Sequence, residues 1–445
     1  MSAADEISPA VRIWGRVAHC DGTAVRLAGL GGLARIGDGV RIGSGDGREI
    51  LGEVIALGPD SVTAMLMAAP QGLAAGQRAF LVPDRPPSPC DGWLGHVIDA
   101  FGRLTDGRPA PQGDHPAMLR RAPPRGERRR MLGPRLATGQ SAMDTMLPLC
   151  RGQRMGVFSG SGVGKSMLMA GLARGVEADV VVVGLIGERG REVSEFARNM
   201  LGERAMARTV VIAATSDQTA LVKRRAALLC LAVAEHFRDR GRHVLCLFDS
   251  VTRFSEAHRE IALAAGEAPA LRAFPPSTPQ AISALCERAG PGEEGSRAGD
   301  ITGIFTVLVS GSDMDEPVAD MVRGTLDGHL VLDRAIAERG RFPAIDLRRS
   351  VSRSAPMAWS EREAALVARA RALIARYEEA EPMIQAGLYT LGTTPEIDEA
   401  IALWPALDRF VGTSAEGQSD LESFARLSAI LDSGGTAPEP AGEGE

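Results

Sequence analysis

From Val11 to about Val82 the apolar stretches are short and cut by glycine: "VRIWGRVAHCDG", "AVRLAGLGG", "VRIGSGDG", "EILGEVIALG" and "VTAMLMA". Short strands separated by turn signals predict a small β-barrel. The Pro-rich "VPDRPPSPCDG" then breaks the pattern. From Arg151 to about Ser360, β-rich runs ("RMGVFSG", "DVVVVGLIG", "RTVVIAA", "HVLCLFDS", "ITGIFTVLVSG") alternate with helical patterns. That alternation predicts an α/β fold with a mainly parallel sheet. Beyond Ser360 the text turns helical and acidic, as in "EREAALVARARALIARYEEAE". The last residues, "SGGTAPEPAGEGE", read as disordered. The divisions expected are a barrel over 1–85, an α/β core over 86–360, a C-terminal helical domain over 361–432 and a tail over 433–445. Between barrel and core, "RRAPPRGERRRMLGPR" (120–135) is basic and broken by proline. A solvated linker is its ordinary reading, and contact with an anionic partner the alternative.

Composition narrows the class. A chain of 445 residues is too long for one core. Aromatic residues make up only 4%, so the cores must be aliphatic. The net charge of -6 argues against a dedicated nucleic-acid binder. No apolar run reaches membrane-spanning length, and "MSAADEISPA" lacks the features of a signal peptide. The six cysteines form no CxxC pair, which fits reduced thiols in the cytoplasm.

The candidate chemistry begins at "SGSGVGKS" (159–166), which follows the strand pattern "RMGVF" and opens a helix. Strand, glycine-rich loop and helix together cradle phosphate through backbone N–H groups and the helix N-terminus. Ser159, Gly160, Ser161, Gly162, Val163, Gly164, Lys165 and Ser166 form the candidate loop. Lys165 would reach the β- and γ-phosphates, and the Ser166 hydroxyl would bind Mg²⁺. The strict pattern has glycine where this chain has Ser159, a residue small enough for the turn. Two strand ends supply the rest. The buried strand in "VVVVGLIGERGREV" ends in Glu188 and Arg189, at the carboxyl edge where parallel sheets place their sites. A glutamate there can polarise a water for attack on the γ-phosphate. "HVLCLFDS" ends in Asp249, placed to orient Mg²⁺. Alone, Glu188 reads equally as part of a charged loop and Asp249 as a helix cap. Together with the loop they point to ATP hydrolysis.

At this point the chain resembles the catalytic-type subunits of rotary ATPases and, more closely, the ATPases of type III protein export, the flagellar ones above all. The likeness runs from about Val11 to Leu431. It is carried by "LGHVIDAFGRLTDGRP", "RGQRMGVFSGSGVGKS", "GLIGERGREVSEF", "LFDSVTRFSEAHREIALAAGEAP", "CERAGPG", "VSGSDMDEPVAD" and "LDGHLVLDR". The resemblance implies a RecA-like P-loop core between an N-terminal β-barrel and a C-terminal helical domain, working as a homohexamer. It implies ATP and Mg²⁺ at subunit boundaries, with Lys165, Ser166, Glu188, Arg189 and Asp249 from one copy. Arg353, which otherwise reads as a surface arginine beside Arg348 and Arg349, matches the family's "S-x-S-R" arginine and would come from the next copy. Such an arginine finger is worth roughly 10³–10⁵ in rate.

The resemblance also implies partners: a stator-like regulatory protein, a central stalk protein, export-gate membrane proteins, export substrates and their chaperones. Membrane contact would be peripheral at most, with the chain cytoplasmic at the base of the export apparatus. The segment 311–320, "GSDMDEPVAD", would face the pore. Two departures stand out. The family's "Y-P-P-S-V-F" is "FPPSTPQAISALCERAG" here, keeping Pro275, Pro276 and Ser277. Only about ten residues precede the first strand, without an amphipathic period. An injectisome ATPase shares all these motifs and remains an alternative. A rotary-type subunit is less favoured because Glu188 and Arg353 sit on one polypeptide. An RNA translocase would need stacking platforms, and the barrel offers only Trp14 and Phe80.

Overall fold

The computed structural model describes residues 12–43, 47–270, 273–309 and 314–433. Expectations for the first ten residues, for 311–313 and for the tail beyond Ser433 fall outside them.

The predicted barrel is present. Strands Trp14–Asp21 (β1), Ala24–Ala28 (β2), Gly39–Gly43 (β3), Glu49–Leu57 (β4), Ser61–Leu66 (β5) and Arg78–Val82 (β6) close in the order β1-β2-β5-β4-β3-β6. Alternation explains the closure: Val25 and Leu27 point inward while Arg26 between them is exposed. The interior is aliphatic, filled by Leu27, Leu30, Val40, Ile42, Val54 and Leu66 among others. A second small apolar cluster, Ile55 and Met65 against Leu221 and Ile261, seats the barrel on the core.

The core is one eight-stranded sheet. Its strands are His96–Ile98 (β7), Arg154–Ser159 (β10), Val180–Glu188 (β11), Thr209–Thr215 (β12), Val244–Asp249 (β13), Ile301–Leu308 (β14), Gly328–Leu332 (β15) and Ile345–Ser352 (β16). The strands Arg135–Leu136 (β8) and Leu149–Cys150 (β9) form a separate ribbon. The order is β16-β15-β10-β14-β13-β11-β12-β7, and every pair is parallel except β15 with β16. The central strands are buried on both faces, which is why "VVVVGLIG" reads as a continuous apolar run without alternation. One face is covered by Ala220–Asp239, Val251–Ala264, Thr278–Cys286 and Pro317–Thr325. The other packs against the helix Lys165–Gly175 and the C-terminal helices Glu361–Gln385, Pro395–Val411 and Asp420–Ser433. A capping box of Ser360 and Glu363 starts the first of these C-terminal helices.

The basic stretch 120–135 is neither a solvated linker nor a free anion-binding surface. Its arginines clamp the chain's own acids. Arg120 pairs with Glu53 of the barrel, Arg121 with Asp239, Arg129 with Glu287 and Arg130 with Asp300. Arg135 bridges Glu363 at 2.8 Å and Asp420 at 2.7 Å, tying the strap to two C-terminal helices. These partners are distant in sequence, so no local pattern signals them. Beneath the strap lies a fully buried pair, Arg288 and Glu235, joined at 3.0 and 2.7 Å. Arg288 also donates to the Leu119 carbonyl at 2.8 Å. Removing one partner of such a pair strands a buried charge. Glu235→Ala should therefore cost about 3–5 kcal/mol in urea denaturation. Arg121→Ala, at a half-exposed pair, should cost no more than about 1 kcal/mol.

Candidate active site

Strand β10 is buried to its last residue, Ser159, whose carbonyl accepts a hydrogen bond from Val309 N at 3.0 Å. The Ser159 hydroxyl is buried and has no protein partner. The chain then turns through Gly160–Gly164 into the helix Lys165–Gly175. Two glycines are required by geometry: Gly162 has φ 80° and Gly164, the helix N-cap, has φ 88°. At Gly164 space is closed as well, since a Cβ would lie 2.9 Å from Cδ1 of Phe342.

Lys165 is the electrostatic centre. Its Nζ lies 2.5 Å from Asp249 Oδ1 and 3.4 Å from Glu188 Oε1. Asp249 ends β13, 4% exposed, and also accepts from Thr306 Oγ1 at 2.6 Å. It is not the helix cap that a strand-end aspartate ordinarily makes. Ser250 caps the helix Val251–Ala264, accepting from Arg253 N. Glu188 ends β11 just after a register shift at Gly187, a bulge with φ 76°. Bulges re-aim side chains beside sites. Gly187 is needed there because the Arg253 stem packs where its Cβ would be. Burial is the main reason the Glu188 carboxyl titrates above its ordinary range, and the charge of Asp249 and a hydrogen bond with Glu192 add to it. Lys165 opposes them.

Gly160, Ser161, Val163, Ser166, Glu188 and Arg189 line an open cleft of about 1580 Å³ with the rest of the loop. Arg189 is largely exposed and pairs with Glu192 at 2.9 Å. Arg353 is not brought to this cleft. It follows β16, whose Ser352 pairs with Gly328 at the start of β15, while the phosphate loop leaves β10 level with Leu332 at the end of β15. Arg353 therefore lies at the opposite end of the sheet, exposed, with its N–H on the Asp327 carbonyl.

Comparison with known proteins gives the family. Flagellum-specific ATP synthases are 44% identical in Caulobacter vibrioides, over 97% of this chain and 99% of that protein, and 40% identical in Salmonella typhimurium, over 93% and 92%. The chain belongs to the family of flagellum-specific and type III secretion ATPases. The ATP synthase alpha/beta family model, nucleotide-binding domain, matches residues 139–352 of the ATPase, and that of the T3SS EscN ATPase C-terminal domain matches 359–429. The type 3 secretion system ATPase of Xanthomonas euvesicatoria is 39% identical over 94% of this chain and 93% of that one. The assembled ATPase EscN of enteropathogenic E. coli superimposes with a TM-score of 0.85 at 35% identity, over 94% of this chain and 100% of that one. EscN in complex with its central stalk EscO gives 0.83.

Three residues in or beside the cleft carry no role in the sequence analysis above. Arg253 lies one turn into the helix after Asp249, and its guanidinium is held near Glu188 and Asp249. The signal was available in "DSVTRF", four residues beyond the aspartate. Thr306 is one of two hydroxyls inside the apolar run "ITGIFTVL", the other being Thr302. Phe342, 40% exposed, lays its ring against the loop, where a base can stack. Gly164→Ala meets both a left-handed backbone and this ring. It should fold, because the loop is at the surface, and should weaken binding of a fluorescent ATP analogue by at least about tenfold.

Proposed function

We propose that the ATPase is the motor subunit of a flagellar type III export apparatus, a homohexamer that hydrolyses ATP at sites shared between neighbours. The carrying observation is the division of the site: the phosphate loop, Glu188 and Asp249 lie at one end of the sheet and Arg353 at the other. A head-to-tail ring brings those two ends together, and closes if the rotation per subunit is right.

Within one copy, the amides of Ser159–Gly164 face the β-phosphate and Lys165 contacts the β- and γ-oxygens. A triphosphate competes with Asp249 and Glu188 for the Lys165 ammonium, freeing both carboxylates. The donor set fits Mg²⁺: Ser166 would offer a hydroxyl and Asp249 a carboxylate, both hard oxygens. Bound there, the ion would supply charge neutralisation for phosphoryl transfer. Glu188, set at the end of its bulged strand, accepts a hydrogen bond from the attacking water and aligns it with the γ-phosphorus. Arg189 and Arg253 stabilise charge from this copy, and the neighbouring copy's Arg353 from the other side. Phe342 supplies a stacking face for the adenine.

Hydrolysis would prepare or unfold export cargo and release it from chaperones, with a stalk protein in the ring reading the nucleotide state. Stator-like and export-gate partners would hold the ring against the membrane without its crossing; no helix among the described residues is long and apolar enough to span one. The flagellar reading is preferred over the injectisome on identity, 44% against 39%. Specific activity should climb steeply with chain concentration and be lost in Glu188→Gln, which still binds ATP. Activity per chain that stayed flat while sizing showed monomers would mean a site complete in one copy.

A further inference from the structure

Beyond the nucleotide cleft lies a second cavity, about 790 Å³, between the hairpin 95–107 and the segment 190–206. Pockets of this size hold drug-sized ligands. Its apolar lining comes from Val97, Leu104, Val193, Ala197 and Met206. Arg103 and Arg198 line it too, neither in an ion pair among the described residues, with the Arg103 guanidinium 5.9 Å from the Phe101 ring centroid, together with Thr105 and Ser194. Of the two acids, Asp99 is engaged, its Oδ1 accepting from the backbone N–H groups of Phe101 at 2.8 Å and Arg103 at 2.9 Å. Glu203, exposed and in no ion pair among the described residues, adds a negative charge to the same lining.

We propose that this cavity binds an organic monoanion with an apolar, ring-sized body, and that occupancy slows ATP turnover. Two guanidinium groups recognise a carboxylate or sulfonate, and the apolar lining takes the body. Glu203 disfavours a polyanion, so the lining suits a monoanion better than a nucleotide. The link to turnover is covalent and short. The cavity wall begins at Gly190, directly after Glu188 and Arg189 of the cleft, and runs through the short helix Gly190–Glu195 into a π-helical turn, Phe196–Met200. Such turns are frequent at functional sites. A ligand bridging this segment to the hairpin pins the element that carries Glu188, and so hinders its movement during the cycle.

The probe is 8-anilinonaphthalene-1-sulfonate, a monoanion with an apolar ring system, titrated by fluorescence into the full chain and its variants. Binding is read without ATP, so its failure is separate from any failure of the hydrolysis reading. One saturable site is expected. Arg198→Ala should weaken it by about tenfold, Glu203→Gln should tighten it, and Ser194→Trp should block it. At saturation the wild type should lose kcat with KM for ATP unchanged, and Arg198→Ala should keep its kcat at the same probe concentration. Affinity indifferent to Arg198 and Glu203 would overturn the site. Saturation that left kcat untouched, or binding only to dilute chain and not to the assembled ring, would overturn its role as an effector site.

Discussion

The core of this ATPase is organised around one ammonium group. Lys165 Nζ sits between Asp249 and Glu188, two carboxylates delivered by the ends of β13 and β11. Burying like charges together is unfavourable unless a cation joins them. Lys165 is that cation, and the phosphate loop fixes its position because Gly162 and Gly164 take backbone conformations that other residues resist. The parallel sheet brings all three to the same edge. On the function proposed above, a triphosphate entering here would exchange one set of anions for another around a fixed cation.

The same sheet imposes the opposite constraint on Arg353. Because β16 runs antiparallel to β15, the residue that follows it emerges at the far end. No side-chain rotation within one copy carries a guanidinium through the sheet. Elsewhere, long-range arginine pairs keep the parts in fixed relation. The strap 120–135 joins barrel, core and C-terminal helices through Glu53, Asp300, Glu363 and Asp420. Arg224 adds a second tie to Glu53, at 2.9 Å.

The barrel, the parallel sheet and the phosphate loop were legible in the sequence because each is dictated by neighbours along the chain. Period-two alternation, continuous apolar runs and glycines at fixed offsets are local requirements. Glu188 and Asp249 were legible as strand ends in the right order. Thr306 and Phe342 were not, because their relevance depends on packing beside Asp249 and Gly164; Arg253 was signalled by "DSVTRF", but its place beside Gly187 was not. The strap was misread for the same reason. Its arginines meet acids 67 residues away at Glu53 and 170 away at Asp300, and a window of sequence shows only the unpaired positive charge.

The most direct test of a site divided between copies is a mixing experiment. Glu188→Gln and Arg353→Ala are each purified, shown to be inactive, and combined in equal amounts under assembling conditions. A shared site predicts that turnover returns, since about a quarter of the junctions in a randomly mixed ring pair an intact Glu188 with an intact Arg353. A mixture of properly sized rings that stayed as inactive as its parts would contradict the account.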